Sequence, residues 1–233
     1  MKLVVVDGAL GQITGIVETP FGAVPYFQLP NYPITQLPNY PITQLPNYPI
    51  AQLPEAQRPT PPALAYAAKA LRGERVLLVL RDVGVPELVA PADFVEFTSG
   101  RFTTFFTHVG TGYVQQVPPF CPELRTAVLQ AGGVVGGTLL VVDELPEPGV
   151  RQWWEAKGIG LISRRSQPEG ALCRELEMCV AVVAAPETMD ITAWVTAVYA
   201  NLPSERACGC DQTMALARKS GRLAADWQEW IIV

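Results

Sequence analysis

The sequence predicts an α/β domain: a twisted mixed sheet flanked by helices, interrupted near its start by a proline-rich repeat. Three observations predict it. Short apolar runs alternate with amphipathic ones along most of the 233 residues, the pattern of a largely parallel sheet covered by helices. Apolar residues make up 49% of the chain and charged residues 17%, which suits a buried core and opposes global disorder. The octapeptide QLPNYPI[TA] recurs in register at Gln28–Thr35, Gln36–Thr43 and Gln44–Ala51, then decays into QLPEAQRP.

KLVVV, Lys2–Val6, ends at Asp7-Gly8 and reads as a first buried strand; its apolar run is too short for a signal-peptide core. QITGIVET and GAVPYF read as two strands turned at Pro20. Beyond the repeat, PPALAYAAKALRG has prolines at its start, apolar residues at helical spacing and Gly73 at its end, predicting a helix from about Pro61 to Leu71. ERVLLVL and DFVEF follow as strands, and GYVQQV alternates like a partly exposed one. CPELRTAVLQAGG is a helix closed by glycines. VVGGTLLVV is read as one strand running into an acidic, proline-bearing loop, DELPEPG. VRQWWEAKG is a short helix, IGLIS a strand, QPEGALCRELEMC a helix entering at Pro168, and VAVVAAP a buried strand. From Asp190 onward the chain reads as mainly helical.

Residues 1–233 are read as one domain with the repeat, 28–54, inserted in it. Two prolines per unit forbid a helix and oppose a central strand. Two readings stay open: an extended, polyproline-like excursion from a repeating DNA element, or a tyrosine- and proline-rich docking segment. Three eight-residue units do not make a solenoid core.

The net charge is −5, with no stripe of lysine and arginine, so no nucleic-acid partner is expected. No apolar run reaches the 18 or so residues of a membrane span, so no membrane partner is expected either. Five cysteines without a framework spacing point to a reducing, cytoplasmic setting. The single histidine, His108, excludes any plan that needs two, and no metal site is expected.

Five blocks then stand in a specific order: FVEFTSGRFTTFF, PPFCPELR, GTLLVV, QPEGALCRELEMC and PSERACGC. In order and spacing they resemble the methylthioadenosine phosphorylase and purine nucleoside phosphorylase family, over about Pro61 to Ala217 and more faintly over Lys2 to Phe27. The resemblance implies a homotrimer of single α/β domains that binds a purine nucleoside and phosphate. The implied reaction is phosphorolysis to free base and pentose 1-phosphate, with phosphate as co-substrate and no cofactor. Such chemistry needs an anion site beneath the sugar and a donor or acid at purine N7, where charge develops as the glycosidic bond breaks.

The chain departs from the family pattern where that pattern carries chemistry. The first glycine turn reads VDGALG, keeping Gly8 and Gly11 without a hydroxyl. No Arg-His dipeptide exists in the chain, and the repeat begins where that pair belongs. The loop after ERVLLVL is RDVGVPEL, in which only Gly84 survives. Arg164 and Arg165 stand where the resemblance places a ribose-packing methionine and a phosphate-binding hydroxyl. Thr188 stands where the N7 aspartate belongs, and Asp190 matches a second acid. Gln116 replaces a histidine that reaches a neighbouring subunit's nucleoside. Asp190 and Thr188 are therefore the catalytic candidates. Gly8, Gly11, Gly84, Arg164, Arg165 and Gln116 are the substrate-binding candidates. The preserved blocks are mostly those a fold and trimer need, which implies weakened or lost catalysis; a non-catalytic scaffold or weak nucleoside- or anion-binding protein is the alternative.

Several of these residues have a second reading. Arg164 and Arg165 suit an anion site, because guanidinium forks match phosphate, or else are solvated partners of Asp143, Glu144 and Glu147. Asp190 also suits a helix cap before ITAWVTAVYA. Cys208-Gly-Cys210 has no second cysteine pair near it in sequence, and alone is a weak redox or metal signal. Trp153, Trp154, Trp227 and Trp230 sit at helix-face spacing and read as packing. If the repeat is a mere insertion, deleting Gln28–Pro54 and bridging the ends will leave the melting temperature and oligomeric state nearly unchanged, because surface insertions cost little closure entropy; calorimetry and light scattering check this.

Overall fold

A computed structural model describes residues 3–7, 15–19, 22–28, 74–99, 104, 114–167, 169–223 and 227. The repeat beyond Gln28, the predicted helix Pro61–Leu71, Gly8, Gly11, His108 and Trp230 lie outside the described residues.

The architecture is organised by two strands that the sequence makes almost wholly apolar. β4 (Arg75–Leu80) and β10 (Cys179–Ala184) pair in parallel from Arg75 opposite Cys179 to Leu80 opposite Ala184, and every residue of both is buried. Such a run suits a strand covered on both faces. Alternate residues face opposite sides. Val76, Leu78, Leu80, Val180, Val182 and Ala184 enter one core with Leu139, Leu172, Met214 and Trp227. Leu77, Val79, Cys179, Ala181 and Val183 enter the other with Leu124, Val128, Trp194 and Val198.

β1 (Leu3–Asp7) adds in parallel to β4, and β3 (Gly22–Gln28) in parallel to β1. β2 (Gly15–Thr19) closes that side as an antiparallel hairpin with β3, as the sequence predicts. On the other side, β5 (Val89–Ala90) runs antiparallel to β10 and carries β7 (Val134–Val135). The order is β2-β3-β1-β4-β10-β5-β7. A second, parallel sheet holds β6 (Asp93–Phe97), β8 (Thr138–Val142) and β9 (Leu161–Ser163). The mixed sheets and helices agree with the fold class read from the sequence.

The helices follow their sequence signals. α1 (Pro122–Gln130) starts with proline in its first turn and ends before Gly132 at φ +95°. α2 (Pro148–Ala156) buries none of its residues; Trp153 packs edge-on to Trp154, with centroids 4.8 Å apart, and Trp154 meets Phe97 at 5.6 Å. α3 (Glu169–Glu175) is shorter than predicted, since the chain turns at Glu177 with φ +57° before entering β10. α4 (Thr192–Ala200) and α5 (Ala215–Lys219) are separated by turns and a 3₁₀ segment, Cys210–Gln212, so the region after Asp190 is less helical than predicted. Of the tryptophans, Trp227 is core, whereas Trp153 is 54% exposed.

Two further expectations are corrected. Val114–Val117, the described part of GYVQQV, forms no strand: Gln115 N donates to Thr213 O at 3.0 Å, an isolated anchor rather than a ladder. VVGGTLLVV is not one strand but β7 and β8, in different sheets, joined through Gly136-Gly137. The glycine is needed because a Cβ on Gly136 would lie 2.6 Å from Val89 Cγ1, 2.9 Å from Leu161 Cδ1 and 3.2 Å from Ala90 O. Gly136→Ala is therefore expected to destabilise the fold by about 1–3 kcal/mol, measured as a lower urea midpoint with an unchanged slope.

Candidate functional site

Ligands of open α/β sheets bind outside the carboxyl ends of the strands, where loops diverge. Here three such ends carry the predicted residues. β4 delivers Arg81, Asp82 and Gly84, β9 delivers Arg164 and Arg165, and β10 delivers Thr188 and Asp190.

Asp82 joins the first two loops. Its Oδ1 accepts from Ser163 Oγ at 2.7 Å and its Oδ2 from Arg164 N at 2.9 Å. Arg164 Nε lies 3.8 Å from Oδ2, so Arg164 pairs with Asp82 and not with Asp143, Glu144 or Glu147. Ser163 Oγ also accepts from Arg165 N at 3.0 Å. Arg81 joins the third loop: its Nη1 donates to Pro186 O and, at 3.0 Å, to Met189 O. Gly84 has φ +76° and is exposed, a conformation that favours glycine.

Asp190 is exposed, and its Oδ1 accepts from Thr192 N at 2.9 Å, but the residue at the N-cap of α4 is Ile191, so Asp190 sits one position before the cap the sequence assigned to it. The Thr192 backbone N–H, then its hydroxyl, hold the Asp190 carboxyl below the usual carboxylate range, and the Arg81 charge adds to this. Thr188 sits exposed in the turn after β10. Gln116 is not joined to these loops by any hydrogen bond or ion pair among the described residues, and its Oε1 is buried without a partner there. The adjacent Gln115 accepts from Arg174 Nε at 2.8 Å, at the other end of α3.

Sequence reasoning missed Ser166. It is 2% exposed, adopts φ +89°, and its Oγ has no hydrogen-bond partner among the described residues. A non-glycine residue held there costs on the order of 1–3 kcal/mol and concentrates at functional loops. No spacing signal marks it, since positive φ at serine is imposed by the surrounding fold.

The opposite end of the sheet carries a second group. Sγ atoms of Cys121, Cys179, Cys208 and Cys210 all lie within 4.8 Å of one another. The fold thus supplies the second pair that the C-x-C lacks in sequence. Hydrogen bonds from Cys179 and then Cys210 hold the Cys121 thiol well below its ordinary value, while the bond to Cys121 pushes Cys179 up. The fifth cysteine, Cys173, is buried in the other core, and burial pushes its thiol up to about 12.

The fold is that of a nucleoside-phosphorylase-like α/β domain, and the comparisons make this specific. The chain is 33% identical over 185 residues to S-methyl-5'-thioadenosine phosphorylase of Mycolicibacterium smegmatis, covering 75% of this chain and 69% of that protein. The same-named protein of Mycobacterium tuberculosis is 35% identical over 146 residues, 54% of this chain and 55% of that one. A purine nucleoside phosphorylase of Streptomyces coelicolor is 36% identical over 115 residues, covering 42% and 41%. The fold matches a methylthioadenosine phosphorylase from an antarctic soil metagenomic library, at a TM-score of 0.65 and 14% identity over 100% of this chain and 98% of that one. No family model matches the chain. The chain belongs to the methylthioadenosine phosphorylase and purine nucleoside phosphorylase family.

Removing the Asp82 carboxylate would strand the Ser163 hydroxyl, whose residue is 0% exposed. Asp82→Ala is expected to cost about 1–3 kcal/mol. The Asp82→Ala, Ser163→Ala double-mutant cycle is expected to show coupling of about 0.5–3 kcal/mol by denaturant unfolding.

Proposed function

We propose that this chain is a cytoplasmic, homotrimeric relative of the methylthioadenosine phosphorylases that still holds a purine nucleoside weakly and whose phosphorolysis is weakened or lost. The observation that carries this reading is Asp190. Its carboxylate accepts from Thr192 N at the entry to α4 and is held below the usual carboxylate range, so it accepts hydrogen bonds and is a poor proton donor to a leaving purine. Thr188, in the place of the N7 acid, donates a hydrogen bond at most. Arg164 is engaged by Asp82, and Arg81 by the carbonyls of its neighbouring loop, which supports an electrostatic framework for the loops over a preorganised phosphate clamp.

A second reading, an anion site rebuilt around Arg164 and Arg165, is favoured by Ser166, whose buried hydroxyl and left-handed backbone adjoin them. Thermal-shift titration with methylthioadenosine and phosphate, singly and together, separates the two. Weak nucleoside binding predicts a shift with methylthioadenosine that phosphate does not enlarge. An anion site predicts a shift with phosphate alone that Arg165→Ala removes. In the same samples, phosphate-dependent adenine release is expected to be at least about a thousandfold slower than in the mycobacterial relatives, the order expected when a general acid and positioned donors are gone. Turnover comparable to theirs overturns the reading.

A further inference from the structure

We propose that Cys121, Cys179, Cys208 and Cys210 form a structural binding site for a single soft divalent metal ion, zinc by class, at the amino-terminal end of the central sheet. The four come from three separate elements. Cys121 immediately precedes α1, Cys179 opens β10, and Cys208 and Cys210 flank a turn. That turn depends on Gly209 at φ +72°, which lets two cysteines one residue apart present sulfur to the same point. Cys121, Cys179 and Cys210 are buried and Cys208 is partly exposed, leaving one side open for metal entry.

The spacing fits a mononuclear ion. Tetrahedral zinc with Zn–S near 2.3 Å places its sulfurs about 3.8 Å apart. Here all Sγ pairs lie within 4.8 Å, and Cys179 Sγ is 3.4 Å from Cys208 Sγ. Binding breaks four S–H bonds, forms four Zn–S bonds and releases four protons to solvent, leaving a site of net charge −2. The surroundings suit that charge. Arg174 has the sulfurs of Cys210, Cys121 and Cys179 as charge neighbours, and Arg206 those of Cys179, Cys208 and Cys210 together with the Asp211 carboxylate. Arg174 Nη1 and Arg206 Nε are buried without hydrogen-bond partners among the described residues. Arg174 stands within side-chain hydrogen-bond reach of Cys210, and a thiolate there accepts from it, the outer-shell role that orients metal ligands.

Backbone anchoring holds the ligands without the metal. Cys121 N donates to Val180 O at 2.7 Å, Cys179 N to Glu74 O at 3.0 Å, and Thr213 Oγ1 lies 3.2 Å from Cys210 O. The site is remote from the loops beyond β4, β9 and β10: the six-residue β10 separates them by about 16 Å at roughly 3.3 Å per residue. It therefore stands or falls independently of the nucleoside reading.

The test is metal analysis of the full chain, purified anaerobically with a reductant and incubated with zinc or cobalt. The expected result is one zinc per chain by elemental analysis. Cobalt is expected to give the charge-transfer and red-region d–d bands of tetrahedral thiolate coordination. Cys208→Ser, in the partly exposed loop, is expected to reduce zinc to well below half an equivalent and abolish the cobalt bands. Cys173→Ser is expected to retain both. Chelation is expected to lower the melting temperature of wild type and not of Cys208→Ser. A reduced, folded wild type that takes up no metal, or metal that survives Cys208→Ser at full occupancy, overturns the proposal. So does finding these four cysteines paired as disulfides in protein trapped by alkylation at lysis.

Discussion

The parallel pairing of β4 with β10 is the constraint on which the rest of the molecule depends. Twelve buried residues in register separate two cores, so each side chain on these strands is committed to one face or the other. A slip of one residue would exchange the faces and place Leu78 and Val180 where Leu77 and Cys179 belong. Arg75, fully buried at the start of β4, reinforces the register. Its Nη2 donates to Pro203 O at 3.1 Å and lies 3.7 Å from Glu123 Oε2, tying the strand to α1 and to the loop before Cys208.

Because both strands run the same way, the sheet has two chemically different ends. The carboxyl ends hold hard, charged groups: Arg81, Asp82, Arg164 and Asp190. The amino ends hold soft ones, the four clustered sulfurs, with arginines around them. α3 connects the two, starting beside Ser166 and finishing near Cys179, with Arg174 in its last turn. Among the described residues, β10 and this short helix each run from one end to the other.

Much of this was legible in the sequence because continuous apolar runs and proline or glycine punctuation are local signals. ERVLLVL and CPELRTAVLQAGG contain the elements they suggest, and VAVVAAP holds all of β10 but its first residue, Cys179. The start of α4 just beyond Asp190 was legible for the same reason, although Ile191 and not Asp190 stands at its N-cap. What was not legible depended on contacts distant in sequence. Gly136-Gly137 resembles an ordinary interruption until Val89 and Leu161 are seen to close on it. Arg164 gave no sign of choosing Asp82, 82 residues earlier, over the nearer acids of the DELPEPG loop. Cys121 and Cys179 lie too far from the C-x-C for any spacing rule to join them.

The passage at Gly136 also bears on how such a chain changes over generations. It carries the backbone out of the large sheet and into the small one, with Gly136 N bonded to Ala90 O at 2.8 Å and Ala92 N to Gly137 O at 3.0 Å. The inner strands of the small sheet share a core with the large one, Leu139, Val141 and Leu161 packing with Val76, Leu78 and Val180, while its edge strand β6 and the helix α2 face solvent. Substitutions accumulating on β6 and α2, which bury little, have little purchase on the register of β4 and β10. A lineage can therefore rewrite the acidic loop and the tryptophan helix extensively while inheriting the central sheet intact.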